Sequence, residues 1–357
     1  MDIKTIKLKN FRNYEEQIIE LDKGINIFYG DNAQGKTNIL ESVFLCSMGK
    51  SFRSNKEKEL IKLGEKCAEI EINYNKSDRE GKIKYNISDK KQINLNGVKI
   101  NKLSELIGNI NTVMFSPDDM EILKGGPQKR RKFLNMMISQ LRPSYIYNYN
   151  LYTKALEERN NYLRQIKNEN KPEELLDIWD EKLAEYAEII YNYRNEFINK
   201  IKEKIEKIHY KITDEKETIK IHYISDFSEI NKFKNRLKNS RENDIQRGYT
   251  TVGIHRDDFI IYINKKELSI YGSQGQYRTA ILSLKLSELY TIYDEIGEYP
   301  ILLLDDFMSE LDDKRRKKFI ENITETQVLI TGTNKIILEN FKYNIYNVKE
   351  GKIEKEN

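Results

Sequence analysis

Gly30-Asp31-Asn32-Ala33-Gln34-Gly35-Lys36-Thr37 is the stretch that decides the fold. It fits G-x4-G-K-[ST]. A compact β-type run, Gly24-Ile25-Asn26-Ile27-Phe28-Tyr29, leads into it, and Ile39, Leu40, Val43 and Phe44 follow at helical spacing. Strand, glycine loop and helix in that order make an anion cradle. The glycines let backbone N–H groups turn inward, and the helix N-terminus adds its positive dipole end. Lys36 is then placed to reach the β- and γ-phosphates of a nucleoside triphosphate, and the Thr37 hydroxyl to ligate Mg²⁺. By chance the pattern arises in about one chain of this length in a hundred. The strand before it and the helix after it argue against a plain glycine turn.

Such a loop needs a carboxylate at the end of a neighbouring apolar strand. Ile301-Leu302-Leu303-Leu304-Asp305-Asp306 supplies it. Alone, an acid after an apolar run is a strand-end or helix-cap residue. Behind a phosphate loop it reads as the second half of the site, with Asp305 holding Mg²⁺ through water and Asp306 facing the attacking water. Pro300–Leu304 has the continuous apolar texture of a central parallel strand, and Val328–Thr331 is a second such run.

Around this centre the texture changes in blocks. Ile3, Ile6 and Leu8 begin a strand, Phe11-Arg12-Asn13-Tyr14 makes a polar turn, and Ile18 to Leu21 continue extended. Ala68–Tyr74, Lys82–Ile87 and Gln92–Ile100 alternate like an antiparallel meander, the last turning on Asn96-Gly97. After Gly125-Gly126-Pro127 the chain turns helical. Leu176, Trp179, Leu183, Tyr186, Ile190, Tyr193, Phe197, Ile201 and Ile205 step by three or four along one face. With an earlier helix carrying Leu151, Leu156 and Leu163, this makes an antiparallel arm in which ~35 residues reach roughly 50 Å. Periodicity fades over Asp214–Asp244, strand texture returns at Thr250–Asn264, and a helix with Leu282, Leu286, Leu289 and Tyr293 on one face follows the loop at Gly272–Gly275.

The 357 residues carry 61 basic and 57 acidic side chains, 33% charged in all. No apolar run approaches the ~18 residues needed to span a bilayer. The start, MDIKTIKLKN, lacks a signal peptide's apolar stretch. Cys46 and Cys67 are too few for a disulfide framework or a zinc site. These features indicate a cytoplasmic protein without a membrane segment. The net charge of +4 is too mild to select nucleic acid by itself.

The remaining motifs carry a family resemblance. Ser273-Gln274-Gly275-Gln276, just before a helix, is similar to the signature of ABC-type ATPases, and Ser309-Glu310-Leu311-Asp312 is similar to their D-loop. The wide gap between Gly35 and Gly275, filled by a short arm, resembles the heads of chromosome-maintenance ATPases rather than transporter subunits. Phe11–Tyr14, Phe115-Ser116-Pro117-Asp118-Asp119, Gly126-Pro127 with Arg130-Arg131, and Gly253-Ile254-His255-Arg256-Asp257-Asp258 together resemble the RecF family of bacterial recombination mediators over nearly the whole chain.

That resemblance implies an α/β fold: an ABC-type ATPase head, with a P-loop mixed sheet and an antiparallel β subdomain, at residues 1–125 and 250–357, and an inserted helical arm at 126–249. It adds Arg12 and Asn38 to the nucleotide-binding loop and makes Lys36 and Asp306 catalytic. It places Ser273, Gln274, Gly275 and Gln276 on the γ-phosphate of a partner subunit, so that ATP closes a homodimer. It further implies double-stranded DNA and single-strand/double-strand junctions as ligands, RecO and RecR as partners in loading RecA, a part in replication and the SOS response, and an ATPase stimulated by DNA. Three departures point to slow turnover. Asp306 stands where many ABC ATPases carry Glu. Thr333 falls at the switch-histidine position, with Thr331 close by. No glutamine lies in Val113–Asp119, which leaves Ser116 or Asp118 for that contact.

Two basic runs stand out, Lys129-Arg130-Arg131-Lys132 and Lys314-Arg315-Arg316-Lys317-Lys318. Such runs are as often solvated helix faces as ligand contacts. The first, at the root of the arm, is the candidate DNA contact, which would be directed at the backbone and sensitive to salt. No groove-reading motif is present, and His255 reads as structural. The competing reading is an ABC-type ATPase subunit of another machine, coupled to a nuclease or to transport. The ~25 residues after Val328–Thr331 leave no room for a nuclease module of ordinary domain size, and the single phosphate loop and the arm speak against transport.

Overall fold

A computed structural model describes residues 1–338 and 341–356, the Glu310 side chain excepted. In chain order the strands are β1 (Asp2–Phe11), β2 (Tyr14–Glu20), β3 (Ile25–Tyr29), β4 (Ala68–Lys76), β5 (Arg79–Ile87), β6 (Gln92–Leu95), β7 (Val98–Ile100), β8 (Thr112–Phe115), β9 (Ile219–Ile224), β10 (Asp258–Ile263), β11 (Lys266–Glu267), β12 (Ile301–Leu304), β13 (Val328–Gly332), β14 (Tyr343–Lys349) and β15 (Lys352–Glu356). The principal helices are α1 (Lys36–Met48), α2 (Pro127–Leu141), α3 (Pro143–Glu169), α4 (Leu176–Ile212), α5 (Ile230–Asn239), α6 (Arg241–Arg247), α7 (Gln274–Ile296) and α8 (Asp313–Glu321). The chain divides into two compact units, Met1–Met120 with Arg278–Asn357, and Glu121–Tyr277.

The first unit holds two six-stranded sheets. One runs β15-β14-β3-β13-β12-β8 and is parallel except for β15. Ile301–Leu304 and Val328–Leu329 are fully buried, as the uninterrupted apolar runs require of strands covered on both faces. Register aligns Leu304 with Ile330 on one side and Phe115 on the other, so Asp305, Ser116 and the end of β13 emerge along one edge of the sheet. β3 ends on that same edge, because Tyr29 pairs with Gly332. The other sheet, β2-β1-β4-β5-β6-β7, is the expected meander. Its β6–β7 hairpin turns on Asn96 and Gly97, both at positive φ (50° and 84°), which gives the twist a two-residue hairpin needs.

In the second unit α3 and α4 pack against each other, and α4 runs for 37 residues, roughly 55 Å at 1.5 Å per residue. Leu183, Ile190, Phe197, Ile201 and Ile205 of the stripe are buried, whereas Trp179, Tyr186 and Tyr193, seven apart, sit half-buried at its margin. Residues 214–244, where periodicity faded, contain β9 and α5. β9 is short and alternates buried Ile219 and Ile221 with exposed Lys220 and His222, and α5 buries only Phe233 and Leu237. The expected strand over 250–264 is shorter than its texture suggested: only Asp258–Ile263 is strand, and a turn at Gly253 (φ 136°) interrupts the rest. β10 pairs with β9 and β11, so residues 250–277 group with the arm rather than with the head to which the sequence reading assigned them. Among the described residues no helix is long and apolar enough to cross a membrane.

Candidate nucleotide-binding site

The loop from Gly30 to Lys36 is clamped from two sides. On one, the β1–β2 turn reaches in: Asn13 Nδ2 donates to Gln34 O (2.7 Å) and the Tyr14 hydroxyl to Gly35 O (3.0 Å). On the other, the β14–β15 turn closes down, with Glu350 N–H donating to Gln34 Oε1 (2.6 Å). Both glycines are demanded by this confinement. A Cβ on Gly30 (φ 151°) would lie 2.2 Å from Val348 O, and one on Gly35 (φ 116°) 2.6 Å from the Asn13 amide. Asp31, Asn32 and Ala33 form the exposed tip, with Ala33 in the left-handed region at φ 63°.

Lys36 is 5% exposed, and its ammonium donates to Gly30 O (2.7 Å) and Asp31 O (2.8 Å). Among the described residues it has no carboxylate partner. A nearly buried cation curled over neutral carbonyls is held ready for an anion. One residue on, Thr37 Oγ1 donates to Asp305 Oδ1 (2.8 Å), which also accepts from Thr331 Oγ1 (2.8 Å). Thr331 Oγ1 in turn accepts from Asp306 N–H (3.0 Å). Burial pushes the Asp305 carboxyl above the usual carboxylate range; the two threonine hydroxyls oppose that shift, and the neighbouring Asp306 adds to it. Asp306 adopts φ 50° and lines the cavity. A left-handed aspartate here is the kind of backbone strain that collects at functional sites.

The cavity over the loop has a volume of about 710 Å³, and its wall includes Arg12, Asn13, Lys36, Thr37, Arg53 and Asp306. Arg12 forks onto the buried Glu41 carboxylate (2.8 and 2.7 Å), which fixes its guanidinium in the wall. Asn38 Nδ2 donates to Asn13 Oδ1 (2.8 Å) and its Oδ1 accepts from Arg53 (2.9 Å). Asn13, Glu41 and Arg53 were not singled out from the sequence. Glu41 carried the clearest signal, a carboxylate set among Ile39, Leu40, Val43 and Phe44 in α1. Arg53 is brought in by tertiary structure alone.

The glycine cradle and the uncompensated Lys36 fit a triphosphate. Among the described residues no group of three or more His, Cys, Asp or Glu could hold a metal ion. The donor set is instead one hydroxyl and one carboxylate, which fits Mg²⁺, an ion that takes its other ligands from water and substrate phosphates. Of the two threonines, buried Thr331 touches both carboxylate residues, whereas Thr333 is exposed in the turn beyond β13. Ser116 follows β8 alongside Asp305, whose N–H donates to Phe115 O (2.8 Å), while Asp118 is exposed.

The other predicted residues are placed as follows. Ser309 Oγ donates to Asp306 O (2.6 Å), Leu311 is buried, and Asp312 caps α8 by accepting from Arg315 N–H (2.9 Å). The Glu310 side chain lies outside the described residues. In the second unit, Ser273 and Gln276 close a reciprocal cap at the start of α7. Ser273 N–H donates to Gln276 Oε1 (3.0 Å) and Gln276 N–H to Ser273 Oγ (3.2 Å), with Gln274 and Gly275 in the first turn. Of the basic run, Lys129 and Lys132 are exposed, but Arg130 is not the free cation its neighbours suggested. It forks onto Asp258 (2.5 and 3.0 Å), and Arg131 donates to Asp257 O (2.8 Å).

The family of the RecF/RecN/SMC N terminal domain matches residues 2–355. The DNA replication and repair protein RecF of Clostridium novyi (strain NT) is 44% identical over 347 residues, covering 96% of this chain and 95% of that protein. Its counterpart in Clostridium tetani (strain Massachusetts / E88) is 45% identical over 352 residues, with the same coverage. Among solved structures, the recombination mediator protein RecF-ATP in the RecFOR pathway superposes with a TM-score of 0.93 at 41% identity, covering all of this chain and 98% of the other. The Smc head domain of Pyrococcus furiosus, at 18% identity and a TM-score of 0.59 over 96% of its length, shares the fold. With near-complete coverage on both sides and a phosphate loop set against an aspartate-ended parallel strand, the chain belongs to the RecF family of DNA replication and repair proteins.

Proposed function

We propose that the protein is an ATP- and Mg²⁺-dependent DNA-binding protein of recombinational repair and replication. ATP joins two copies on double-stranded DNA near gaps and junctions, where the dimer assists RecO and RecR in loading RecA during repair and the SOS response. The observation that carries this reading is the convergence of Thr37, Asp305 and Thr331 within hydrogen-bond distance beneath the Lys36 loop. Lys36 exchanges its two carbonyl partners for β- and γ-phosphate oxygens. Thr37, and Asp305 through water, would hold Mg²⁺, which would supply neutralisation of phosphate charge. Asp306, turned into the cavity by its left-handed backbone, orients the attacking water. Ser273, Gln274, Gly275 and Gln276 receive the γ-phosphate of the partner's nucleotide, and Ser309–Asp312 follow the site as its D-loop. Met1–Met120 with Arg278–Asn357 act as the ATPase head.

ATP here is a switch whose free energy is realised as preference for the closed dimer, and hydrolysis resets it. With Asp306 one methylene shorter than the glutamate of many ABC ATPases, turnover is slow, and DNA accelerates it. Cytoplasmic location follows from the same role. The test combines light scattering with fluorescence anisotropy on a labelled duplex, with and without ATP-Mg²⁺, across a salt series. Wild type dimerises and binds DNA more tightly with ATP, and binding weakens steeply as salt rises. Lys36→Met abolishes the ATP-dependent dimer, while Asp306→Asn stabilises it. An Asp306→Asn protein that stays monomeric in ATP removes Asp306 from the hydrolytic role, and wild type indifferent to DNA under all conditions overturns the DNA reading.

A further inference from the structure

Two sequence motifs with no part in the nucleotide site, the Arg130-Arg131 run and Gly253–Asp258, lock into one knuckle within the arm unit. Gly253 takes φ 136°, and a Cβ there would lie 2.6 Å from the Tyr152 hydroxyl, so the turn admits no other residue without strain. Gly253 N–H donates to Asp226 Oδ2 (2.9 Å). Asp257 is 1% exposed and accepts from Arg194 (2.7 Å), Tyr223 (2.5 Å) and Ser225 (2.6 Å). Arg194, itself fully buried, also donates to Ile254 O (2.6 Å) and Asn135 Oδ1 (3.0 Å). The knuckle is therefore rigid, anchored at both ends and along its floor.

Its charges do not cancel. Each of its three carboxylates has a guanidinium of its own: Asp257 pairs with Arg194 (2.7 Å), Asp258 with Arg130 (2.5 Å) and Asp226 with Arg236 (2.7 Å). Two guanidiniums remain. Arg131 donates to a backbone carbonyl, and exposed Arg256 has no ion pair among the described residues. They lie together around His255. Burial first, and then repulsion from Arg256 and Arg131, takes that imidazole down to about 4. Tyr152 fixes its Nδ1 (2.8 Å) and Thr250 O its Nε2 (3.2 Å). Arg131, held on a backbone carbonyl, and solvent-facing Arg256 thus leave two positive charges on one anchored turn with no carboxylate of their own among the described residues.

We infer that Arg131, anchored on the Asp257 carbonyl, and the neighbouring exposed Arg256 form a contact for the phosphodiester backbone of duplex DNA, with exposed Lys129 and Lys132 as flanks. This deepens the DNA-binding reading above and rests on it. The planar fork of a guanidinium suits phosphate oxygens better than a lysine ammonium does, and such contacts carry no base readout. It also divides the basic run: Arg131 faces DNA, whereas Arg130 belongs to the scaffold.

The test is fluorescence anisotropy of a labelled duplex with the full chain in ATP-Mg²⁺, from about 50 to 200 mM salt. Arg256→Ala weakens binding about tenfold and flattens the log–log salt slope by about 1. Arg256→Lys recovers most of the slope, and Arg131→Gln with Arg256→Ala flattens it by about 2. Lys171→Ala, which removes one charge from the far loop of the arm, leaves the curve unchanged. ATP-dependent dimerisation and the melting temperature of Arg256→Ala stay at wild-type values. Wild-type binding with an unaltered Arg256→Ala curve overturns the inference alone. So does an equal loss in Lys171→Ala, or intact DNA binding with lost binding of polyglutamate, which would give the pair to an acidic protein surface. Absence of wild-type binding overturns the DNA reading and this inference with it.

Discussion

The core of the arm and the nucleotide site of the head treat their charged side chains in opposite ways. In the arm, Arg159 and Arg194 are wholly buried and each meets carboxylates: Arg159 donates to Asp180 (2.7 Å) and Asp244 (2.8 Å), and Arg194 to Asp257 (2.7 Å). In the head, the equally enclosed Lys36 meets only carbonyls, and Asp305 only hydroxyl donors. The head also contains closed pairs, Arg12 on Glu41 in the wall of the cavity and the buried Lys285 on Glu288 within α7, but neither supplies the Lys36 or Asp305 of the working centre. Paired charges fix one geometry at a desolvation cost, whereas charges with neutral partners keep their strongest interaction for a ligand. The arm's core spends its ions on shape; the nucleotide site withholds them.

Breaking an arm pair is expected to have the largest effect on stability. Arg194→Met leaves Asp257 buried without its cation and costs about 3–5 kcal/mol. Denaturant melts should show it, while ATP affinity stays within twofold; an equal collapse of ATP binding would break the contrast between the units. Next comes pH. His255 is held neutral, with its pKa lowered to about 4, mainly by burial, so the unfolded chain binds a proton that the folded chain refuses. Stability is full above the unfolded value near 6.5 and falls as pH drops towards 4, by on the order of 3 kcal/mol. Buried His209, also shifted down by burial, acts in the same direction. Urea melts from pH 7.5 to 4.5 check this, and His255→Gln should flatten the profile.

In the head, Gly30→Ala forces a Cβ to within 2.2 Å of Val348 O and strains φ, costing about 2 kcal/mol and loosening the phosphate loop. Thermal melts with and without ATP-Mg²⁺ should show both losses. The smallest effect separates two threonines. Thr331→Val removes a donor to Asp305 and an acceptor for Asp306 N–H, costing about 1 kcal/mol with a fall in ATPase rate; Thr333→Val is close to neutral in both assays.

Much of the head was legible because its signals are local. The Gly30–Thr37 loop, the apolar run ending in Asp305-Asp306 and the Asn96-Gly97 turn each state their conformation within a few residues. The α4 stripe was equally clear, because periodicity over 37 residues outweighs noise. What escaped depends on partners distant in sequence. β9 and α5 bury too few side chains to leave a pattern. Thr331 and Thr333 differ only in which face of the chain meets Asp305. The run Lys129–Lys132 looks uniform in sequence, yet Asp258 claims one of its members. Residues 250–277 read as strand and loop correctly in outline, but only the ladder to β9 reveals the unit they join.

The neighbours of β3 have a consequence for how the protein is made. That strand, which launches the phosphate loop, pairs with β13 and β14 and with no strand near it in sequence. At a synthesis rate of ~5–20 residues per second, its apolar side chains wait on the order of 15–60 s on the ribosome before either partner exists. The strand that launches the phosphate loop is thus translated early and paired late. Until β13 and β14 emerge, Ile25, Ile27 and Phe28 form an unpaired apolar segment that a nascent chain must keep from misassociating.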